Sequence, residues 1–187
     1  MTKEIQTAEG LVQVHDRFFK KYISTEEIAA AIDEMAEKIN RDFEGKPLIF
    51  LVVLKGSMIF ASDLVRKITL PCRMETVRAR SYGNRMTTSG RVELEFVPEE
   101  LEGKNIIIVE DIVDSGLTLK ALIERLLKEA PASVNIAALL SKPEARKTEI
   151  EIQYCGIEIP PVFVVGYGLD YAEYGRNLPQ IYALADE

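Results

Sequence analysis

Ile106-Ile-Ile-Val109-Glu110-Asp111-Ile-Val-Asp114-Ser115-Gly116-Leu-Thr118 joins an apolar strand, two adjacent carboxylates, a third acid and a small-residue turn within thirteen positions. Leu119, Leu122, Ile123, Leu126 and Leu127 follow at helical spacing. An apolar strand with acids at its carboxyl end, a tight turn and a helix start make up the βα corner where open α/β sheets bind ligands. The turn offers backbone N–H groups and the positive end of a helix, both suited to a phosphate. Carboxylates can hold hydroxyls or a metal but repel a bare anion. The corner therefore implies a ligand with both phosphate and hydroxyls, such as a sugar phosphate. Helix capping by Asp114 or Ser115 would account for one polar residue. It would leave Glu110 and Asp111 unexplained at the end of a buried run, where unpaired carboxylates are costly.

Outward from this corner the chain alternates strand and helix signals. Ser24-Thr-Glu-Glu27 has capping-box spacing, and Ile28, Ile32, Met35, Ala36 and Ile39 then recur on one helical face, with Gly45-Lys-Pro47 ending the helix. Leu48 to Leu54 predicts a strand buried on both faces. Gly56 and Ser57 turn into a second helix from Met58 to about Ile68. Arg73–Arg80 and the alternating Val92, Leu94 and Phe96 predict two more strands around a polar loop, Ser81–Gly90. Val134–Leu140 and Val162–Val165 predict two further strands after the corner helix. The expected fold is α/β, a mainly parallel sheet with helices on both faces. From Pro160 the helix signals fade, and a small cap over the carboxyl edge of the sheet is expected instead.

The length of 187 residues fits one domain, with 47% hydrophobic and 28% charged residues, ordinary for a globular protein. A net charge of −7 opposes nonspecific binding to nucleic acid or anionic membrane. No secretory leader is expected from the first residues, and the run Leu48–Leu54 is far too short to span a bilayer. Cys72 and Cys155 lie far apart without metal or redox spacing, and His15 is the only histidine. A histidine-rich zinc site is excluded, His15 is expected at the surface, and a cytoplasmic protein with reduced thiols is expected.

The corner resembles the phosphoribosyl pyrophosphate (PRPP) signature of the type I phosphoribosyltransferases. By that resemblance Glu110 and Asp111 contact the ribose hydroxyls and associated metal. Asp114, Ser115, Gly116, Leu117 and Thr118 wrap the 5′-phosphate. Other stretches match in the family's order from about Tyr22 to Leu184 and are similar to the hypoxanthine or hypoxanthine-guanine members. Leu54-Lys55-Gly56-Ser57 resembles the pyrophosphate loop, which implies contacts from Lys55 and Gly56 and a Leu54–Lys55 peptide bond that can be cis without a proline. Lys142, after the strand that follows the corner helix, matches the lysine on the purine 6-oxygen. Pro161-Val-Phe163-Val164-Val165-Gly166-Tyr-Gly168-Leu169-Asp170-Tyr171 resembles the base-binding hood. There Phe163 would stack on the purine, the Val164 backbone would read its edge and Asp170 would coordinate magnesium. Gly166-Tyr-Gly168 is not a dinucleotide fingerprint, because Tyr171 replaces the third glycine and no helix follows. Arg176 matches the hood arginine that reaches pyrophosphate, although Gly175 before it is a less familiar residue. Arg80, Ser81 and Tyr82 open the polar loop and match a mobile catalytic lid, with Arg85 and Arg91 as further lid charges. Ser115 stands where threonine is also common and keeps the hydroxyl.

The resemblance implies one domain over residues 1–187, with a hood formed mainly by about 160–187 and the N-terminal segment. It implies purine salvage: PRPP with hypoxanthine or guanine gives IMP or GMP and pyrophosphate, with Mg2+ as cofactor and Asp114 as general base. A homodimer or homotetramer is expected, with no nucleic-acid or membrane partner. Rival readings are a xanthine-guanine or adenine enzyme, and a regulator that senses PRPP and binds nucleic acid. Lys142 disfavours adenine, whose 6-amino group cannot accept its hydrogen bond. The acidic charge and lack of a helix-turn-helix extension disfavour the regulator.

Overall fold

Leu48–Leu54 (β3) runs through the middle of the sheet in the computed structural model, hydrogen-bonded along both edges to parallel neighbours. The structure describes residues 10–81, 92–95, 97–98 and 100–185. On one side of β3 lies Cys72–Ser81 (β4), and on the other Asn105–Val113 (β6). Among the described residues the sheet has six strands in the order β5-β4-β3-β6-β7-β8. Val92–Glu95 (β5) joins β4 antiparallel, while Ser133–Ser141 (β7) and Tyr154–Glu158 (β8) continue the parallel set.

Alternate residues of β3 and β6 enter cores on opposite faces. Phe50, Val52, Ile107 and Val109 pack with helix α1, Thr25–Asp42, and helix α2, Met58–Val65. Ile49, Leu51, Val53, Ile106 and Ile108 pack with helix α3, Leu117–Leu126. Burial on both faces explains why β3 and β6 are continuous apolar runs. The capping box at Ser24 forms as expected: its hydroxyl accepts from the Glu27 N–H at 3.2 Å, and its own N–H donates to Glu27 Oε2 at 2.8 Å. Ile28, Ile32, Met35, Ala36 and Ile39 are the buried face of α1.

Several expected boundaries differ. Helix α2 stops at Val65, because the Lys67 and Ile68 N–H groups turn back to Leu64 and Val65. The strand expected over Val162–Val165 shortens to Val164–Val165 (β9), since Val162 closes a turn onto Pro160. The cap is itself a sheet, among the described residues four antiparallel strands in the order β1-β2-β10-β9. Two come from the N-terminal segment, Leu11–Val14 (β1) and Arg17–Ile23 (β2), and one is Ile181–Leu184 (β10). Only Phe19 and Ile23 of β2 are buried, so the strand carries no clean alternation to read. His15 lies exposed in the β1–β2 turn, 2.8 Å from Asp16.

Strand β8 also lacks a sequence signal, because Gly156 interrupts it. A Cβ there would stand 2.6 Å from the Leu139 carbonyl oxygen of β7. Gly156→Ala should therefore force the two strands apart and cost about 1–3 kcal/mol, as overpacking does. Urea unfolding monitored by far-UV circular dichroism measures it, and an unchanged midpoint would mean that β8 slides away freely.

Candidate active site

Strand order creates the site. From β3 the chain passes through α2 to β4 on one side; from β6 it passes through α3 to β7 on the other. The connections thus diverge between β3 and β6, the switch point at which open α/β sheets leave a crevice. Pairing of β3 with β6 ends at Val52 and Val109, whereas β6 stays paired with β7 out to Val113. The two strands part where Glu110 and Asp111 begin.

The crevice is a cavity of about 310 Å³ bordered by Lys55 and Gly56 after β3, Glu110 and Asp111 on β6, Asp114, Ser115, Gly116 and Thr118 in the turn, and Asp170 and Arg176 from the cap. The Leu54–Lys55 peptide bond is cis, as the resemblance implied. Gly56 has no room for a side chain: a Cβ would collide with the Asp111 carboxylate. Gly168 of the cap comes equally close to Gly56, where a Cβ would collide with its carbonyl oxygen. Ser57 is fully buried and donates to the Val53 carbonyl at 2.5 Å, tying the turn to its own strand.

In the turn after β6 Gly116, at φ +77°, is the N-cap of α3, and no side chain among the described residues caps that helix. Neither Asp114 nor Ser115 serves as the cap; the Ser115 hydroxyl makes only a long 3.5 Å contact with the Leu117 N–H. The helix start is thus left to N–H groups and the helix dipole, the arrangement that receives an anion. From behind, Lys147 donates its N–H to the Ser115 carbonyl at 3.0 Å. Arg146 holds that backing segment, bonding Ser141 Oγ at 2.7 Å and the Ile150 carbonyl at 3.2 Å. No local pattern around Arg146 foretold this role.

Lys142 follows β7 and is 8% exposed. Its N–H donates to Val113, and its Nζ lies 3.7 Å from Asp114 Oδ2. Lys142, Leu117, Phe163 and Val164 do not border the cavity itself. Phe163 presents a 47% exposed ring, edge-on to Tyr171 and tilted against Phe19, while Val164 is buried in β9. Asp170 is paired with Arg176 at 2.7 Å, and Arg176 also donates to the Gly168 carbonyl at 2.8 Å. Arg80 and Ser81 end β4, pairing with Glu93 and Val92. Tyr82, Arg85 and Arg91 lie outside the described residues. A residue that sequence reasoning missed is Glu173, 2.7 Å from Lys55. A larger cavity of about 800 Å³ lies beside the backing segment, among Glu149, Glu151 and Glu158. Its border mixes those acids with Arg146 and Lys147 and includes none of the corner's acids or turn residues, so volume alone does not identify the site.

The acids are electrostatically strained. Glu110 Oε2 is buried without a hydrogen-bond partner among the described residues. Burial first, and the neighbouring Asp111 second, push the Glu110 carboxyl well above the ordinary carboxylate range. Burial also raises Asp111, against hydrogen bonds from Glu110 and the Ile112 N–H. Glu110 borders the crevice, and an incompletely satisfied acid there is a place for a ligand hydroxyl or a cation.

An open α/β sheet with a bare helix start, half-buried acids and cations converging at its switch point suits a phosphorylated, hydroxyl-bearing ligand. Comparison with known proteins makes this specific. The family model described as the phosphoribosyl transferase domain matches residues 20–172. The chain belongs to that family. It is 42% identical to the hypoxanthine-guanine phosphoribosyltransferase of Dictyostelium discoideum over 90% of this chain and 97% of that one. A solved hypoxanthine-guanine phosphoribosyltransferase from Bacillus anthracis superposes with a TM-score of 0.82 at 41% identity, covering 88% of this chain and 97% of that one. A hypoxanthine phosphoribosyltransferase from Staphylococcus aureus gives 0.84 at 38% identity, covering 89% and 91%.

The raised Glu110 pKa has a consequence for stability. In the unfolded chain Glu110 titrates in the ordinary carboxylate range. Above that range the folded protein binds more protons than the unfolded one, so its stability falls as pH rises toward the folded pKa. Glu110→Gln removes this loss. The variant's melting temperature should exceed wild type at about pH 7–8, with the gap shrinking toward about pH 5. A gap independent of pH would show Glu110 ionised in the folded protein.

Proposed function

We propose that this protein transfers the 5-phosphoribosyl group of PRPP to hypoxanthine or guanine, releasing pyrophosphate and IMP or GMP. The observation that carries the purine assignment is the Lys142–Asp114 pair. A 6-oxopurine presents N7 and O6 side by side on one edge. With a proton on N7 that edge is a donor beside an acceptor. Asp114 Oδ2 and Lys142 Nζ, 3.7 Å apart, form the complementary acceptor and donor. A 6-amino group would face the lysine donor to donor, so adenine is disfavoured. The half-exposed Phe163 ring offers a stacking face, and Val164 supplies backbone for the far edge of the base.

In this reading the turn from Asp114 to Thr118 holds the 5′-phosphate, Glu110 and Asp111 the ribose hydroxyls, and Lys55, Gly56 and Arg176 the pyrophosphate. The C1′–oxygen bond to pyrophosphate breaks as the purine N9 bonds to C1′, and Asp114 accepts the N7 proton. Lys55 and Arg176 take up charge that develops on the departing oxygens. Arg80, Ser81 and Tyr82 begin the lid that excludes water from the electrophilic sugar. Among the described residues no three His, Cys, Asp or Glu side chains cluster as a ready metal cage. The donors offered are instead Asp170 and Asp111, both on the border of the crevice. That set fits Mg2+, which takes one or two carboxylates and fills its shell with ligand oxygens and water. When bound, the ion would neutralise charge on pyrophosphate oxygens.

We further place the full 1–187 chain in one catalytic domain, with residues 160–187 and the N-terminal strands as its hood. A cytoplasmic homodimer or homotetramer without nucleic-acid or membrane partners is proposed. The net charge of −7 opposes nonspecific binding to nucleic acid or anionic membrane, and no helix among the described residues is long and apolar enough to cross a membrane. Initial rates with hypoxanthine, guanine, xanthine and adenine at fixed PRPP and magnesium test the assignment; adenine as the preferred base would overturn it. Asp114→Asn keeps shape but cannot accept the proton. Turnover should fall about 100- to 10,000-fold with little change in PRPP affinity; a loss under threefold removes Asp114 from the base role. Lys142→Ala should weaken transition-state binding of 6-oxopurines by about 1.5–3 kcal/mol without creating an adenine enzyme. Unaltered kcat/KM for hypoxanthine would show that Lys142 does not touch the base.

A further inference from the structure

Lys55 and Arg176 approach the crevice from two separate segments, one after β3 and one from the hood, and a single carboxylate reaches both. Glu173 Oε2 lies 2.7 Å from Lys55 Nζ and 3.7 Å from Arg176 Nη2. The main chain aims it there. Ala172 and Glu173 adopt φ of +52° and +70°, a region that side-chain-bearing residues rarely enter. Tyr171 and Tyr174 close the turn by mutual backbone hydrogen bonds of 2.9 and 3.0 Å, and the Glu173 N–H donates to Asp170 Oδ2 at 2.8 Å. The Glu173 side chain is 66% exposed, so it can swing outward without breaking any packing.

An oxygen anion bridging a lysine and an arginine is the interaction that a phosphate oxygen makes with the same pair. We infer that Glu173 occupies the place of a pyrophosphate oxygen in the ligand-free protein and must leave when a diphosphate enters. It is an affinity-determining residue: it keeps Lys55 and Arg176 neutralised while the site is empty, weakens capture of the diphosphate and favours its release. The inference rests on the reading of Lys55 and Arg176 as pyrophosphate cations.

Isothermal titration of inorganic pyrophosphate into the ligand-free enzyme, in magnesium buffer, tests it without turnover. Removing an exposed competing ion pair should tighten binding about two- to fivefold in Glu173→Gln. Glu149→Gln, which removes one charge beside the larger cavity, controls for net charge and should bind as wild type does. Lys55→Ala and Arg176→Ala should both weaken binding. Unchanged binding in Glu173→Gln overturns the inference. Weaker binding also overturns it, since Glu173 would then be holding Lys55 ready for the ligand. Equal tightening in Glu149→Gln would reduce the effect to net charge and overturn it as well. If neither cation variant weakens pyrophosphate binding, the cation assignment falls and the inference falls with it; if they do and only Glu173→Gln fails, the assignment survives.

Discussion

Two backbones and the Asp111 carboxylate meet within van der Waals distance at Gly56, and the shape of the crevice depends on that junction. The turn after β3 passes beneath the Asp111 carboxylate and against Gly168 of the hood, with no space for a Cβ on either glycine. The junction sets how far the hood sits from the sheet. It therefore fixes the separation of Asp170 and Arg176 from the acids on β6. The hood is tied down again by Tyr167, whose hydroxyl donates to Asp63 of α2 at 2.6 Å. Burial and that carboxylate raise the Tyr167 pKa, so the donor stays protonated across the physiological range.

Charge within the crevice is arranged in two layers. Glu110 and Asp111 are half-buried at the sheet end, where desolvation keeps them reluctant to ionise. Lys55 and Arg176 stand at the rim with Glu173 and Asp170 as temporary partners. A ligand with neutral hydroxyls in its middle and phosphates at its ends matches this order, because hydroxyls tolerate the half-buried acids and phosphates draw the outer cations. The same burial that suits the acids to a ligand makes the empty site a source of instability, a common cost of function.

The corner Ile106–Thr118 was legible because strand, acids and turn are contiguous, so local chemistry alone specifies them. The α1 cap and its buried face were legible for the same reason: hydrogen bonds and periodicity act over three or four residues. Strands β1, β2 and β8 were not. Phe19 and Ile23 are the only buried residues of β2, and Gly156 removes a side chain from β8. These strands exist because neighbours elsewhere in the chain supply their hydrogen bonds, a stabilisation that leaves little trace in local pattern.

By itself the sequence determined an α/β chain, the anion-receiving turn, the paired acids and, through motif order, the family. Tertiary structure decided which residues share a site. It set Lys142 3.7 Å from Asp114, backed the turn with Arg146 and Lys147, and set Glu173 against Lys55 across 118 positions of sequence. The physical reason is range. Capping, turn formation and periodicity are short-range and written in adjacent residues, whereas the distance between two charged groups depends on strand order, register and steric stops such as Gly56, which exist only once the chain has folded.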